Sequence, residues 1–150
     1  MADEKIIATN KKAGRDYFIL ESYEVGIQLQ GIEVKSLREG KANLNDSFGR
    51  IERGEIFLFN LHIGPYSHIS QRDYNPLRVR KLLLHKKEIK KLIGRLSIKG
   101  LTLVPLKMYF KHGIVKLELA LCRGKKLYDK RRQLRKKAAQ REIERVLKRG

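Results

Sequence analysis

Large apolar residues recur at every second position from Val115 to Leu121: Val115, Leu117, Leu119 and Leu121 alternate with Lys116, Glu118 and Ala120. A period of two puts one face of a strand in a core and the other towards water. Thr102 to Tyr109 lies just upstream, and Lys111-His112-Gly113 supplies a turn between them, which predicts a hairpin. Pro105 within that partner calls for an edge or a bulge, because proline has no N–H for the ladder. Glu55 to Ile63 alternates in the same way, with Phe57, Phe59, Leu61 and Ile63 expected on one side. Arg50 to Arg53, with Gly54, reads as the strand and turn leading into it. Tyr17 to Leu20 and Gly26 to Leu29 form two further apolar segments, with Tyr23-Glu24-Val25 between them.

Two segments carry a helical period instead. Ile32 to Glu39 is bracketed by Gly31 and Gly40 as start and stop signals. In Lys86 to Leu96, Ile89, Leu92, Ile93 and Leu96 fall on one face and lysines elsewhere. Asp73 to Lys81, with Pro76, reads as a polar basic loop. Many short strands, glycine turns and two or three short helices predict a mainly β chain: a small closed or partly open barrel with helices at its ends. The five-stranded oligonucleotide-binding (OB) barrel is the best known member of that class.

Charge changes this picture at the C-terminus. The 150 residues hold 35 Lys+Arg against 16 Asp+Glu, a formal net charge of +19. Thirteen Lys+Arg and three Asp+Glu of these fall in 123–150, so more than half the excess sits in the last 28 residues. We place a boundary near Arg123-Gly124, between a body of residues 1–122 and a basic tail of 123–150. A charge this large opposes compaction and calls for a polyanionic partner. A membrane is disfavoured, since no apolar run approaches the roughly 20 residues needed to span a bilayer. Nor does the stretch from Met1 to Lys12 have a signal-peptide apolar core. A cytoplasmic, monomeric protein is expected. The single Cys122 forms no internal disulfide or Cys-rich zinc site and reads as a small buried apolar residue.

Catalytic chemistry is not evident. His62, His68, His85 and His112 do not pair at metal-ligand spacing, and no phosphate loop, dinucleotide fingerprint or nucleophile elbow appears. His62 reads as a half-exposed strand residue. No enzyme activity, metal or cofactor is expected. The basic residues are informative through clustering: Asn10-Lys11-Lys12, then Lys35, Arg38 and Lys41, then Arg78-Val79-Arg80-Lys81, then Arg123 to Lys137. Such groups release counterions on meeting phosphates and supply sequence-independent affinity. The aromatics offer stacking surfaces, with Phe18 and Tyr109 expected in the core.

Five runs together resemble one family. They are Asn10-Lys11-Lys12-Ala13 with Tyr17-Phe18-Ile19, Tyr23 to Ile27, and Gly31 to Arg38 with Gly40 to Asn43 and Asp46-Ser47. The others are Arg80 to His85 and Gly124 to Arg131. In this order, over nearly the whole chain, they resemble the SsrA-binding protein (small protein B) family of bacteria. The resemblance implies an OB-type barrel that binds the tRNA-like domain of transfer-messenger RNA and delivers it to stalled ribosomes in trans-translation. Alanyl-tRNA synthetase and elongation factor Tu are further implied partners, acting through the RNA. It also implies RNA contacts in the body at Asn10, Glu24, Leu83 and His85. The family often has Asn at position 85, where His hydrogen-bonds with a different geometry. Lys11, Lys12, Tyr23, Lys35 and Lys41 complete the expected body surface. For the tail the resemblance implies entry into the empty mRNA channel and decoding centre of the small subunit. Lys125, Lys126, Tyr128, Asp129, Lys130, Arg131, Arg135 and Lys136 are the expected contacts there.

By residue chemistry alone, Glu24 reads as a turn glutamate in solvent and Leu82-Leu83-Leu84 as core. As RNA contacts, Glu24 would accept from a base edge or a 2′-hydroxyl, or orient a neighbouring lysine. Leu83 would be the outward member of a strand. The tail composition favours helix from about Leu127, with Asp129 as N-cap. However, Leu127, Leu134 and Ala138 lie opposite Ala139, Ile143, Val146 and Leu147, so no single apolar stripe exists. A tail disordered when free and helical on RNA is expected. A ribosomal protein or a general RNA chaperone fits the composition equally well.

Overall fold

The predicted hairpin forms from two strands of 11 residues each. The computed structural model describes residues 4–68 and 72–149, with the side chains of 126–133 and of 148 and 149 outside that description. Strand β8 (Leu101–Lys111) turns through His112 and Gly113, at φ 50° and 77°, into β9 (Ile114–Gly124). Two successive positive φ angles make the tight turn that matches strand twist, and glycine takes the second at no steric cost. The register slips between Pro105 and Lys107, so Pro105 sits at a bulge, as its missing N–H requires.

The remaining elements in chain order are β1 (Glu4–Thr9), α1 (Ala13–Asp16), β2 (Tyr17–Ile27), α2 (Gly31–Arg38), β3 (Ala42–Asn43) and β4 (Phe48–Glu52). They continue with β5 (Glu55–Phe59), β6 (His62–Ile63), β7 (Arg80–Leu83), α3 (Lys86–Leu96) and, after the hairpin, α4 (Lys125–Arg149). Six antiparallel strands close a ring in the order β8, β4, β5, β7, β2, β9 and back to β8. Strand β1 pairs with β8 alongside β4, and β3 and β6 form a separate two-stranded sheet. Val25, Ile56, Leu58, Leu82, Leu103, Met108, Leu117 and Leu119 belong to one buried apolar cluster, which Leu37 of α2 and Ile89 and Leu92 of α3 join.

Three expectations are corrected. The two apolar segments at 17–20 and 26–29 are one strand to residue 27, because Tyr23, Glu24 and Val25 pair with Leu119, Glu118 and Leu117. On β5 the buried residues are Ile56 and Leu58, not Phe57 and Phe59. Phe59 stacks on Phe48 with ring centroids 5.6 Å apart, and Asn60, at φ 62°, breaks the period so that Leu61 and Ile63 turn inward. The basic loop from Asp73 ends early: Arg80 starts a strand and is wholly buried.

Arg80 is buried because it holds a helix to the ring. Its Nε donates to Glu33 Oε2 at 2.6 Å and its Nη1 to the Leu61 carbonyl at 2.6 Å. Arg78 Nη2 donates to Glu33 Oε1 at 2.5 Å. Glu33, itself at 0% exposure, also accepts from the Gln30 N–H at 2.8 Å, which caps α2. Burial pushes the Glu33 carboxyl upward, but the Arg78, Gln30 and Arg80 hydrogen bonds outweigh it and hold it below its ordinary value. Arg78 and Arg80 of the run 78–81 are thus spent on Glu33, while Lys81 lies 3.8 Å from Glu55 in a partly exposed pair.

The tail leaves the body as one helix of 25 residues, roughly 37 Å long at 1.5 Å per residue. Strand β9 leads directly into it at Lys125, so Asp129 lies within the helix and not at its cap. Lys125 Nζ donates to the Gly14 carbonyl at 2.9 Å and lies 5.1 Å from the Phe18 ring centroid. Phe18, expected in the core, is 40% exposed and serves as that cation's platform. Every residue from 134 to 147 is exposed, including Leu134, Ile143, Val146 and Leu147. This is what apolar residues scattered round a helix produce. The tail is helical, where a free tail without fixed structure was expected, and along 134–147, where every residue is exposed, its order rests on local propensity.

Glu33→Ala should destabilise the body by about 3–5 kcal/mol, because it strands the Arg80 charge in the interior. Since the folded pKa of Glu33 is depressed, its contribution is present above the unfolded value of about 4.3 and is lost as pH falls through the lower folded value. Urea unfolding at pH 7 and at decreasing pH measures both effects. The variant's stability should fall less steeply with acidification than that of the wild type.

Candidate nucleic-acid interface

A cavity of about 450 Å³ opens where β2, β7 and β9 meet the start of α3, and Glu24, Gly26, Leu83, His85 and Lys116 are among its lining residues. Pairing brings them together: Gly26 faces Leu83 on one side and Lys116 on the other. A Cβ on Gly26 would lie 3.3 Å from the Leu83 Cβ, so the glycine makes room for the leucine across the strand. Strand alternation separates the three leucines. Leu82 is at 0% exposure in the core, Leu83 is 50% exposed beside the cavity, and Leu84 is half-buried. His85 is exposed at the N-cap of α3, where its carbonyl accepts from the Ile89 N–H at 3.1 Å.

Glu24 is not in a turn. It lies in the middle of β2, opposite Glu118 on β9. Tyr109 donates its hydroxyl to Glu24 Oε2 at 2.5 Å, and Lys111 Nζ lies 3.2 Å from Oε2 and 3.3 Å from Oε1. The Tyr109 hydrogen bond first, and the Lys111 one next, hold the Glu24 carboxyl below its ordinary value. Tyr109 was expected in the core. It is buried at 3% exposure, yet it stands outside the apolar cluster, on the outer face of the ring beneath Lys107, whose Nζ is 5.1 Å from its centroid. Burial first, then the bond to Glu24, raises the phenol above its usual range.

The other candidates are dispersed. Asn10 Nδ2 donates to the Pro105 carbonyl at 3.0 Å and weakly to that of Leu44 at 3.4 Å, tying the start of the chain to the β8 bulge. It lines a second cavity of about 220 Å³ with Lys12, Tyr17 and Phe48, and its Oδ1 is buried without a partner. Lys12 pairs with Asp46 at 3.6 Å, and Lys11 is exposed. Tyr23, on the opposite face of β2 from Glu24, packs partly on the core and donates its hydroxyl to Glu21, which Arg95 also engages. These two hydrogen bonds, Arg95 first, pull Glu21 down to about 2. Lys35 stands 5.8 Å from the Tyr66 ring centroid, and Lys41 Nζ donates to the Pro65 carbonyl at 3.1 Å. In the tail, Arg135 and Lys136 are exposed, while the side chains of Lys126, Tyr128, Asp129, Lys130 and Arg131 lie outside the described residues. Among the described residues there is no acidic, His and Cys cluster that would hold a metal, and no helix is long and apolar enough to cross a membrane.

Tyr109, Lys111, Gly26 and Lys116 thus join a site that sequence reasoning did not give them. The alternation of Lys107, Tyr109 and Lys111 marks an outer face, but nothing in it places Tyr109 against a residue 85 positions away.

An apolar side chain, a fixed carboxylate and several cations round one open cavity, on a barrel that ends in a projecting cationic helix, define an RNA-binding barrel module. Polar groups there can read bases and sugars while lysines meet phosphates. The chain belongs to the SmpB protein family, whose model matches residues 7–149. It is 56% identical over 144 residues to the SsrA-binding protein of Geobacillus thermodenitrificans, covering 96% of this chain and 93% of that one. It is 57% identical over 145 residues to the SsrA-binding protein of Geobacter sulfurreducens, covering 97% and 95%. The SsrA-binding protein of Bacillus subtilis is 56% identical, with 96% and 92% covered. Among solved structures, a chain from "tmRNA-SmpB: a journey to the center of the bacterial ribosome" is similar at a TM-score of 0.66 and 53% identity. That match covers 78% of this chain and 82% of the other.

Leu83→Ser should change unfolding free energy by less than about 1 kcal/mol, since the side chain is half in water. Leu82→Ala, one residue away, should cost about 2–5 kcal/mol through a core cavity. Urea melts of the two variants check this, and equal losses would place Leu83 in the core.

Proposed function

We propose that this protein binds the tRNA-like domain of transfer-messenger RNA and delivers it to ribosomes stalled without a usable codon. The observation that carries this reading is the cavity that gathers Glu24, Leu83 and His85, on a chain whose relatives are SsrA-binding proteins and whose structural neighbour is a tmRNA–SmpB chain on the ribosome. Leu83 packs on an unstacked base, Glu24 accepts from a base edge or a 2′-hydroxyl, and His85 adds a hydrogen bond. Lys116 and the lysines at the cavity rim meet the backbone. The protein acts as a monomeric cytoplasmic adaptor without chemistry of its own. Alanyl-tRNA synthetase and elongation factor Tu meet it through the RNA.

Residues 1–122 serve as the RNA-binding body and 123–150 as the ribosome-facing tail. With no described side chain of 134–147 buried, the tail helix is marginal in free solution. It is secured when rRNA phosphates in the mRNA channel and decoding centre screen its cations. Lys125, Lys126, Lys130, Arg131, Arg135 and Lys136 supply the charge, and Tyr128 offers a ring for stacking.

Glu24→Ala should weaken binding of the tRNA-like RNA by roughly 1–3 kcal/mol at fixed salt, the scale of a lost charge-assisted hydrogen bond. Removing a merely repulsive carboxylate tightens binding instead, so the sign decides. A general RNA chaperone would bind unrelated folded RNAs as well at raised salt.

A chain ending at Gly124 should fold, keep most of its affinity for that RNA and lose ribosome rescue. Backbone amides beyond Lys125 should be mobile in the free full-length protein by NMR relaxation. A rigid free tail, or rescue without the tail, contradicts the proposed division of labour.

A further inference from the structure

We propose that Tyr109 and Lys111 are positioning residues for RNA recognition: they act on the RNA through Glu24, whose carboxylate they hold in a fixed place at the cavity. The inference rests on the reading of Glu24 as an RNA contact and adds to it the parts that make a carboxylate workable on a surface built to attract phosphate.

A free glutamate on an exposed strand samples several rotamers and repels the RNA backbone. Glu24 is constrained otherwise. The Tyr109 ring is locked by burial, so its hydroxyl is a fixed point, and it donates to Glu24 Oε2 at 2.5 Å. Lys111 lies 3.2 and 3.3 Å from the two oxygens and neutralises the charge locally. Each carboxylate oxygen accepts more than one hydrogen bond. Oε1, which Tyr109 does not use, retains acceptor capacity for a ligand hydroxyl or amino group. Lys107 completes the support: it lies over the Tyr109 ring and 3.9 Å from Glu118, the residue opposite Glu24. This spares the two facing carboxylates a bare like-charge contact. The ligand chemistry that fits is a neutral donor, a 2′-hydroxyl or an exocyclic amine, and not a phosphate oxygen.

The test uses the full chain, the tRNA-like domain RNA and fixed salt, with Tyr109→Phe, Glu24→Ala and the double variant. Releasing the Glu24 carboxylate from its fixed point should weaken Tyr109→Phe binding roughly five- to tenfold, about 1–1.4 kcal/mol. In the Glu24→Ala background the same substitution should have no further effect. A second readout is the titration of the Glu24 carboxyl carbon by NMR. Because Tyr109 lowers this group's pKa, its midpoint should move up in Tyr109→Phe. Lys111 on β8, Lys116 and Glu118 on β9, and Lys81 and His85 across the cavity stay in place in that variant. Lys111→Met removes only a partly exposed side chain, so it keeps the fold if Tyr109→Phe does not. It too should raise the midpoint and lose its effect on binding in the Glu24→Ala background. Equal losses from Tyr109→Phe with and without Glu24, or an unmoved midpoint, overturn the inference while leaving Glu24 as a contact. Glu24→Ala binding as tightly as wild type overturns the contact itself, and the inference with it.

Discussion

Strand β9 pairs along most of its length on both edges, with β2 on one side and β8 on the other, and the rest of the molecule depends on this double pairing. It closes the ring, turns Val115, Leu117, Leu119 and Leu121 into one interior, and leaves no bare strand edge on β9 for another chain. It also carries β2 and β8 to within side-chain reach of each other across its outer face. Glu24 meets Tyr109 and Lys111 only because β9 lies between their strands. Strand β9 then ends at Gly124 and hands the chain straight to the tail helix, so the closing strand also fixes where that helix leaves the body.

Electrostatics divides the chain more sharply than composition implies. In the body many cations are already matched: Arg78 and Arg80 by Glu33, Arg95 by Glu21, Lys107 by Glu118, Lys111 by Glu24. Such pairing orients side chains more than it stabilises the fold, because exposed pairs gain little in water. The buried Glu33 group differs in kind, since its charges are held out of water and answer one another through short hydrogen bonds. In the tail thirteen cations face three acids. The body therefore has the means for directed recognition, and the tail for strong, salt-sensitive attraction to phosphate.

The fold was largely legible where a single period held. The β8–β9 hairpin, its turn, the Pro105 irregularity, and helices at 32–39 and 86–96 all followed from alternation, helical spacing and glycine signals. It was less legible where one residue resets the phase: Asn60, at φ 62°, exchanged the inner face of β5. Of the candidate site, the residues alone made Leu83 core and Glu24 a solvent glutamate; the outward turn of Leu83 followed only once the family resemblance was joined to strand alternation. Phe18 looked like core because aromatic residues usually are, yet it lies beside the tail junction with a lysine over it.

The sequence by itself determined the β-rich class, the concentration of cations in the last 28 residues, the polyanionic partner and, through five spaced runs, the family. These are local or additive properties: periodicity, turn chemistry and net charge do not depend on which segments meet. Only the tertiary structure decided which partner each of these cations meets. Arg80 and Lys111 read alike along the chain, yet one is sealed in the interior against Glu33 and the other flanks Glu24 at the cavity. Which partner a charge meets is set by strand order and by burial, and neither is written in the residues beside it.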